Sequence, residues 1–175
     1  MSGYRFERLR ALVVDDNAHM RRLVITILQA FGAKQICEAH DAERAWAIIG
    51  EVNPDVIFLD WMMGGMTGID FARMVRTSVA SPNPYVPIIM LTGNASTGCV
   101  EKARDAGVNE FLAKPVSVKG ILTRLTSVIE NPRAFVRTKA YFGPCRRRRV
   151  AEEYHGPERR ADANAVVPDA MRAAS

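Results

Sequence analysis

The chain has 175 residues, 48% of them apolar, which permits one ordinary buried core with an appendage and leaves no room for two domains of normal size. Residues 1–130 hold 14 basic and 14 acidic side chains and residues 131–175 hold 10 and 5, so the whole net charge of +5 belongs to the tail and says little about the globule's partners. Cys37, Cys99 and Cys145 show neither CxxC nor Cys/His spacing, and no apolar run approaches a membrane span; this argues against a disulfide framework, a zinc site and a spanning helix, with a reducing cytoplasm as the expected compartment.

Leu12-Val13-Val14 is a short β-branched run that stops on Asp15-Asp16-Asn17, as a buried strand ending in a polar loop does. From Ala18 to Phe31 the apolar residues Met20, Leu23, Val24, Ile27, Leu28 and Phe31 form a helical stripe closed by Gly32. A strand at Ile36–Ala39 and a helix capped by Asp41 through Ile49 follow. Val56-Ile57-Phe58-Leu59 is continuously apolar, the pattern of a strand covered on both faces, and it ends on Asp60. Glycines at 64, 65 and 68 punctuate the chain before a helix near Ile69–Val79, a Pro- and Ser-rich turn at Ser81–Pro84, and a strand at Val86–Leu91 that ends on Thr92-Gly93. A helix near Ser96–Ala106, a strand at Glu110–Ala113, Lys114-Pro115 and a helix at Val118–Ile129 complete five βα units. This alternation predicts an α/β fold, a five-stranded doubly wound parallel sheet with helices on both faces.

In such sheets function gathers at the carboxyl edge, where Asp15, Asp16, Asp60, Thr92 and Lys114 all lie. Converging carboxylates repel each other, and a hard divalent cation with oxygen ligands, Mg²⁺ above all, relieves the repulsion. Asp60 could then accept a phosphoryl group, its charge offset by the cation and the Lys114 ammonium, with the Thr92 hydroxyl donating a hydrogen bond. Each residue alone has an ordinary reading as a capping turn, loop start or solvated turn; the set of five at successive strand ends does not. Trp61 could shield an acyl phosphate from water or simply pack over the next loop. The methionines 62, 63 and 66 read as pocket lining.

Val13-Val14-Asp15-Asp16, Phe58-Leu59-Asp60-Trp61-Met62-Met63, Met66-Thr67-Gly68, Leu91-Thr92-Gly93 and Lys114-Pro115 together resemble the receiver domain of two-component response regulators, the CheY-like fold, from about Leu9 to Glu130, within a receiver domain expected over residues 1–130. The resemblance implies that Asp60 is the phosphoacceptor, supplied by a histidine kinase or phosphotransfer protein, with Thr92 and Lys114 as its catalytic companions. It implies that Asp16, Asp60 and the backbone of Met62 ligate Mg²⁺, that Asp15 acts through water, and that Thr92 and Phe111 are a switch pair. Gly64 stands where that family usually has proline, which adds backbone freedom and removes no ligand.

After Asn131-Pro132 the composition shifts. Residues 133–160 hold nine of the tail's ten basic side chains, interleaved with Phe135, Tyr141, Phe142 and Tyr154. Phe135-Val136 continues the last helix by a turn or packs against it, Gly143-Pro144 and Gly156-Pro157 stop regular structure, and the chain from about Thr138 is expected to be disordered without ligand. Arg146-Arg147-Arg148-Arg149 admits three readings: a solvated arm, an arm for nucleic acid or anionic membrane, and a site for a discrete guanine nucleotide, whose base an Arg fork meets bidentately. Gly143-Pro144-Cys145-Arg146-Arg147 recurs as Gly156-Pro157-Glu158-Arg159-Arg160, and two similar half-sites suit a ligand of two similar halves. Glu152, Glu153 and Asp162 fit a guanine edge better than a polyanion.

A receiver followed by Tyr-Phe-Gly-Pro-x-Arg-Arg-Arg resembles the Cle group, the CheY-like cyclic di-GMP effectors of alphaproteobacteria. The resemblance implies that the tail, residues 131–175, binds cyclic di-GMP within 133–162. The implied contacts are Arg133, Arg137, Tyr141, Phe142, Arg146, Arg147, Arg148, Arg149, Tyr154, Arg159, Arg160 and Asp162. It further implies recruitment to the flagellar motor switch. The last helix runs straight into the tail, so chain order places an arm that orders on ligand beside that helix and the Phe111 strand. A non-enzymatic role is expected. The alternatives are a stand-alone phosphorelay or chemotaxis receiver with a passive arm, and a phosphorylation-gated nucleic-acid or membrane binder; no DNA-reading motif follows the receiver.

Overall fold

Five βα units in sequence can bury their apolar strands only between two helical layers, and the chain does so. In the computed structural model, which describes residues 6–93 and 96–146 and the backbone of 164–166, the units are β1 (Arg10–Val14), α1 (Ala18–Ala30), β2 (Gln35–Ala39), α2 (Ala42–Val52), β3 (Val56–Asp60), α3 (Gly68–Thr77), β4 (Ile88–Thr92), α4 (Thr97–Asp105), β5 (Glu110–Ala113) and α5 (Val118–Glu130). The strands run parallel in the order β2-β1-β3-β4-β5. Alternate strand residues face opposite layers. Leu12, Val14, Ile57, Leu59, Ile88 and Met90 pack against α2 and α3 with Phe71, Ile48 and Val75, while Ala11, Val13, Phe58, Ile89 and Leu91 pack against α1 and α5 with Val24, Leu28, Ile121 and Leu125.

Caps fix where the helices begin. Asn17 accepts from the backbone amides of His19 and Met20, Asp41 from Arg44, Thr67 from Asp70 and Ser117 from Gly120, so the loops after β1, β2, β3 and β5 enter their helices at set angles. The expected boundaries hold within two residues, except that α2 runs three residues beyond Ile49, to Val52. Among the described residues, no helix is long and apolar enough to cross a membrane.

The tail departs from expectation. Phe135-Val136 does not prolong α5: Phe135–Arg137 is strand β6, antiparallel to β7 (Phe142–Pro144), and β6 also pairs with the backbone of β8 (Asn164–Val166). Gly143 and Pro144 therefore lie within a strand, and residues 138–144 form the turn and second strand of a hairpin. The reason is apolar anchorage that composition alone hides. Phe135 is fully buried and Phe142 nearly so, and both rings stand edge-on to Tyr85 at 5.2 Å. Two buried phenyl rings stabilise by several kcal/mol, on the order of 1.5–3 each, which offsets the ordering of a short hairpin.

The hairpin closes the amino edge of the sheet, against the C-terminal end of α3 and the loops before β4 and β5. Phe135 and Phe142 find their pocket at Tyr85, and the backbones of Gly107 and Gly143 approach so closely that a Cβ on Gly143 would lie 2.8 Å from the Gly107 Cα.

Candidate functional site

β1 and β3 are neighbours in the sheet, so the residues that end them meet. One carboxylate oxygen from each of Asp15, Asp16 and Asp60 can be chosen so that all lie within 4.8 Å of one another; Asp15 and Asp60 are buried and Asp16 is exposed. Lys114, arriving from the end of β5, places its Nζ 2.9 Å from Asp15 Oδ2 and 2.7 Å from Asp60 Oδ1. The Met62 amide donates to Asp60 Oδ2 at 3.1 Å and the Asn17 amide to Asp15 Oδ1 at 2.8 Å, which orients both carboxylates. Lys114 in turn is set by its amide, which donates to the Thr92 carbonyl at 2.6 Å, and the following Lys114–Pro115 bond is cis.

Electrostatically the site is a carboxylate cluster short of positive charge. Burial pushes the Asp60 carboxyl above its ordinary range, the Lys114 ammonium pulls it down, and the Asp15 charge raises it again; the net direction is up. Burial alone would lower Lys114, but its hydrogen bonds to Asp60 and Asp15 and their charges outweigh that, and it is raised. One ammonium shared by two buried carboxylates, with a third carboxylate at the solvent boundary, is a donor set that fits a hard divalent cation. Asp15, Asp16 and Asp60 would hold Mg²⁺, and the ion would supply charge compensation for a phosphoryl group on Asp60.

Thr92 is buried at the end of β4, beside β3, and Phe111 is partly buried in β5 against the α2/α3 core; the Phe111 carbonyl accepts from Arg124 Nε at 3.0 Å. Trp61 is partly buried against the same core, Met63 is buried, and Met62 is 65% exposed at the mouth of the site. Met63 behaves as lining, and Met62 does not.

Two contacts at this edge and one at the far edge go beyond the motif reading, in which Gly68 figures only as a turn glycine. Arg21 donates from Nη1 to the Asp15 carbonyl at 2.9 Å and from Nε to Glu38 at 2.8 Å, which fixes the acidic loop. Gly68 admits no side chain, because a Cβ there would collide with the Asp60 carbonyl oxygen. Asp55 clamps Arg10 at the far end of β1 and β3 through contacts of 2.8 and 2.9 Å.

At the opposite edge lies a second constellation. Arg76 is 2% exposed, and its guanidinium donates to the Gly107 carbonyl at 2.9 Å, the Pro84 carbonyl at 2.9 Å and Asn109 Oδ1 at 3.0 Å, with the Phe135 ring 5.1 Å away. Burial pushes it down to about 9, so it remains charged at neutral pH. Its signal in the sequence was an arginine at a position of the apolar stripe of α3, one turn from Ala72 and adjacent to Val75.

Four of the tail residues expected to bind nucleotide are gathered on the hairpin. Arg137 lies over the Phe142 ring at 4.2 Å, and Arg146 over the Tyr141 ring at 4.3 Å while pairing with Asp105 at 3.2 Å. Tyr141 donates to the Pro144 carbonyl at 2.8 Å, and burial pushes its hydroxyl up. Arg133 donates to the Cys145 carbonyl at 3.3 Å, bringing a fifth to the same hairpin. Arg147, Arg148, Arg149, Tyr154, Arg159, Arg160 and Asp162 lie outside the described residues.

Comparison with known proteins agrees with the carboxyl-edge site. Residues 11–126 match the response regulator receiver domain. The chain is 32% identical over 122 residues to the chemotaxis protein CheY of Pseudomonas aeruginosa, covering 70% of this chain and 97% of that one, and 30% identical over 124 residues to chemotaxis protein CheY-3 of Vibrio cholerae, covering 71% and 94%. A high-resolution structure of the Vibrio cholerae chemotaxis response regulator CheY4 superposes with a TM-score of 0.63 at 32% identity, covering 69% of this chain and 98% of that one. The matched family segment ends at residue 126, before the hairpin. Motif set, sheet order and acidic cluster thus converge: the chain belongs to the response regulator receiver family, a CheY-like domain phosphorylatable at an aspartate with Mg²⁺ at its acidic cluster.

Proposed function

We propose that Asp60 is the phosphoacceptor and that the tail makes this receiver a cyclic di-GMP effector acting on the flagellar motor. At the carboxyl edge, an Asp60 carboxylate oxygen forms a bond to phosphorus as the P–N bond of a histidine kinase or phosphotransfer protein breaks, and the imidazole leaves with its electron pair and takes up a proton. Lys114 neutralises the transferred charge from 2.7 Å, and Thr92 donates to the phosphoryl oxygens.

The observation that carries the tail reading is the pairing of guanidinium planes with rings, Arg137 on Phe142 and Arg146 on Tyr141. Such pairs present flat, cationic faces on which a purine can stack while neighbouring arginines meet phosphate and the guanine O6/N7 edge. The doubled Gly-Pro-x-Arg-Arg unit supports a ligand of two guanine halves. The flagellar switch protein is the partner implied by the Cle resemblance, and the chemotaxis relatives are in keeping with it; with it go a cytoplasmic location and recruitment to the motor.

Calorimetry of the full chain with cyclic di-GMP, GTP and a short oligonucleotide tests the ligand. Selective binding of cyclic di-GMP, weakened roughly ten- to hundredfold by Arg147→Ala or Arg159→Ala, is expected. Equal affinity for all three, or full affinity in a chain cut after Glu130, would overturn it in favour of a passive arm.

A further inference from the structure

We propose that α4 is a lever between the two edges of the sheet, so that a phosphoryl group on Asp60 releases the hairpin of residues 133–146 from the receiver. The proposal rests on the phosphoryl reading of Asp60 and not on the nucleotide.

Among the described residues both α3 and α4 run from the carboxyl edge to the hairpin, and α4 is the less firmly anchored of the two. It follows β4, whose last residue, Thr92, ends beside Asp60, and it finishes at Asp105 against the hairpin. Its anchorage is slight: of its nine residues only Ala103 is buried, whereas six of the ten in α3 are. An element with so little buried surface shifts at small cost. A phosphoryl group brings a charge of about −1.5 to −2 and new acceptor oxygens to Asp60, beside the end of the strand that leads into α4.

The far end has little tolerance for such a shift. Arg146 holds Asp105 at 3.2 Å, and the chain just beyond α4 packs backbone to backbone on the hairpin at Gly107 and Gly143. A Cβ on Gly107 would lie 2.9 Å from Arg76 Cγ and 3.0 Å from the Phe142 carbonyl oxygen, so receiver and hairpin interlock on the same residue. Displacing the C-terminal end of α4 separates Asp105 from Arg146 and opens the Gly107–Gly143 contact. Arg146, paired with Asp105 when docked, becomes available to an anion when released. By linkage, docking and phosphoryl binding weaken each other by the same factor, so a variant that loosens docking should ease phosphoryl binding, by no more than that factor.

Hydrogen exchange of the full chain with Mg²⁺ and beryllofluoride, the stable phosphoryl mimic, tests this directly. The amides of Thr138 and Cys145, which donate within the hairpin at 2.8 and 2.7 Å, report its integrity, since a hairpin off its platform frays. Trp61 fluorescence reports occupancy of Asp60 separately. Exchange at both amides should rise several-fold on beryllofluoride addition in the wild type and not in Asp60→Asn. Gly143→Val and Asp105→Asn, which loosen docking by different means, should each tighten beryllofluoride binding roughly two- to fivefold. A Trp61 response with exchange unchanged or slowed overturns the lever alone. Unaltered beryllofluoride affinity in both variants does the same, and absence of any Trp61 response removes the Asp60 reading together with it.

Discussion

The two edges of this sheet handle buried charge in opposite ways. At the carboxyl edge, buried Asp15 and Asp60 share one ammonium from Lys114 and remain under-compensated, and the Asp60 carboxyl is held above its ordinary range. At the amino edge, buried Arg76 spends its three hydrogen bonds on neutral oxygens of Gly107, Pro84 and Asn109 under the Phe135 ring. The first arrangement is unfinished until a cation or phosphoryl group arrives. The second is complete once the tail docks, and it holds the loops before β4 and β5 together. One fold thus carries a site tuned to respond and a site tuned to stay, at opposite ends of the same strands.

Removing the aromatic lid should give the largest effect. Phe135→Ala empties a fully buried position among Tyr85, Phe142 and Arg76, and a loss of roughly 3–5 kcal/mol in urea unfolding is expected. A loss below about 1 kcal/mol would mean the hairpin is not part of the folding unit. Arg76→Ala should follow, at about 3 kcal/mol, because it leaves buried acceptors unsatisfied. Arg76→Lys should recover little, since one ammonium cannot reach three divergent oxygens.

At the other edge the sign reverses. Asp60 has a folded-state value above its unfolded one, so the folded state binds the proton more tightly, and stability falls as pH rises from the ordinary carboxylate range through the folded value. Asp60→Asn should therefore raise the melting temperature at pH 7 without Mg²⁺, by roughly 2–4 °C for each kcal/mol relieved, and the gain should vanish at pH 3. Lys114 works the other way: its contribution is complete below its unfolded value and is lost as pH rises through the raised folded one, so it leaves the neutral range untouched. Added Mg²⁺ should stabilise the wild type and not Asp60→Asn. A fall in melting temperature for Asp60→Asn under Mg²⁺-free conditions would contradict the under-compensated reading. The smallest change belongs to Asp105→Asn, whose partner Arg146 and itself are 45% and 46% exposed, and less than about 1 kcal/mol of stability is expected in a thermal melt.

How much of this was legible in the sequence differs between the edges for a physical reason. Asp15, Asp16, Asp60, Thr92 and Lys114 each follow an apolar strand run, and parallel-sheet topology alone gathers strand ends, so periodicity placed them without any knowledge of contacts. Arg21 and Gly68 act through backbone carbonyls, and nothing local distinguishes them from a helix-surface arginine or a turn glycine. The amino edge depends on pairs far apart in the chain: Arg76 with Gly107 and Asn109, Tyr85 with Phe135 and Phe142. Arg76 broke the apolar stripe of α3 and could have been flagged. The hairpin could not, because its polar composition is that of an unfolded arm and its stability comes from rings that dock on another part of the chain.

The most direct test is to map amide shifts of the isotope-labelled full chain against two ligands added separately, Mg²⁺ and cyclic di-GMP. The account predicts that Mg²⁺ moves Asp15, Asp16, Asp60 and Met62, and that cyclic di-GMP moves Arg137, Tyr141, Phe142 and Arg146. Cyclic di-GMP shifts centred on Asp15 and Asp60, or none on the hairpin at saturating concentration, would contradict it.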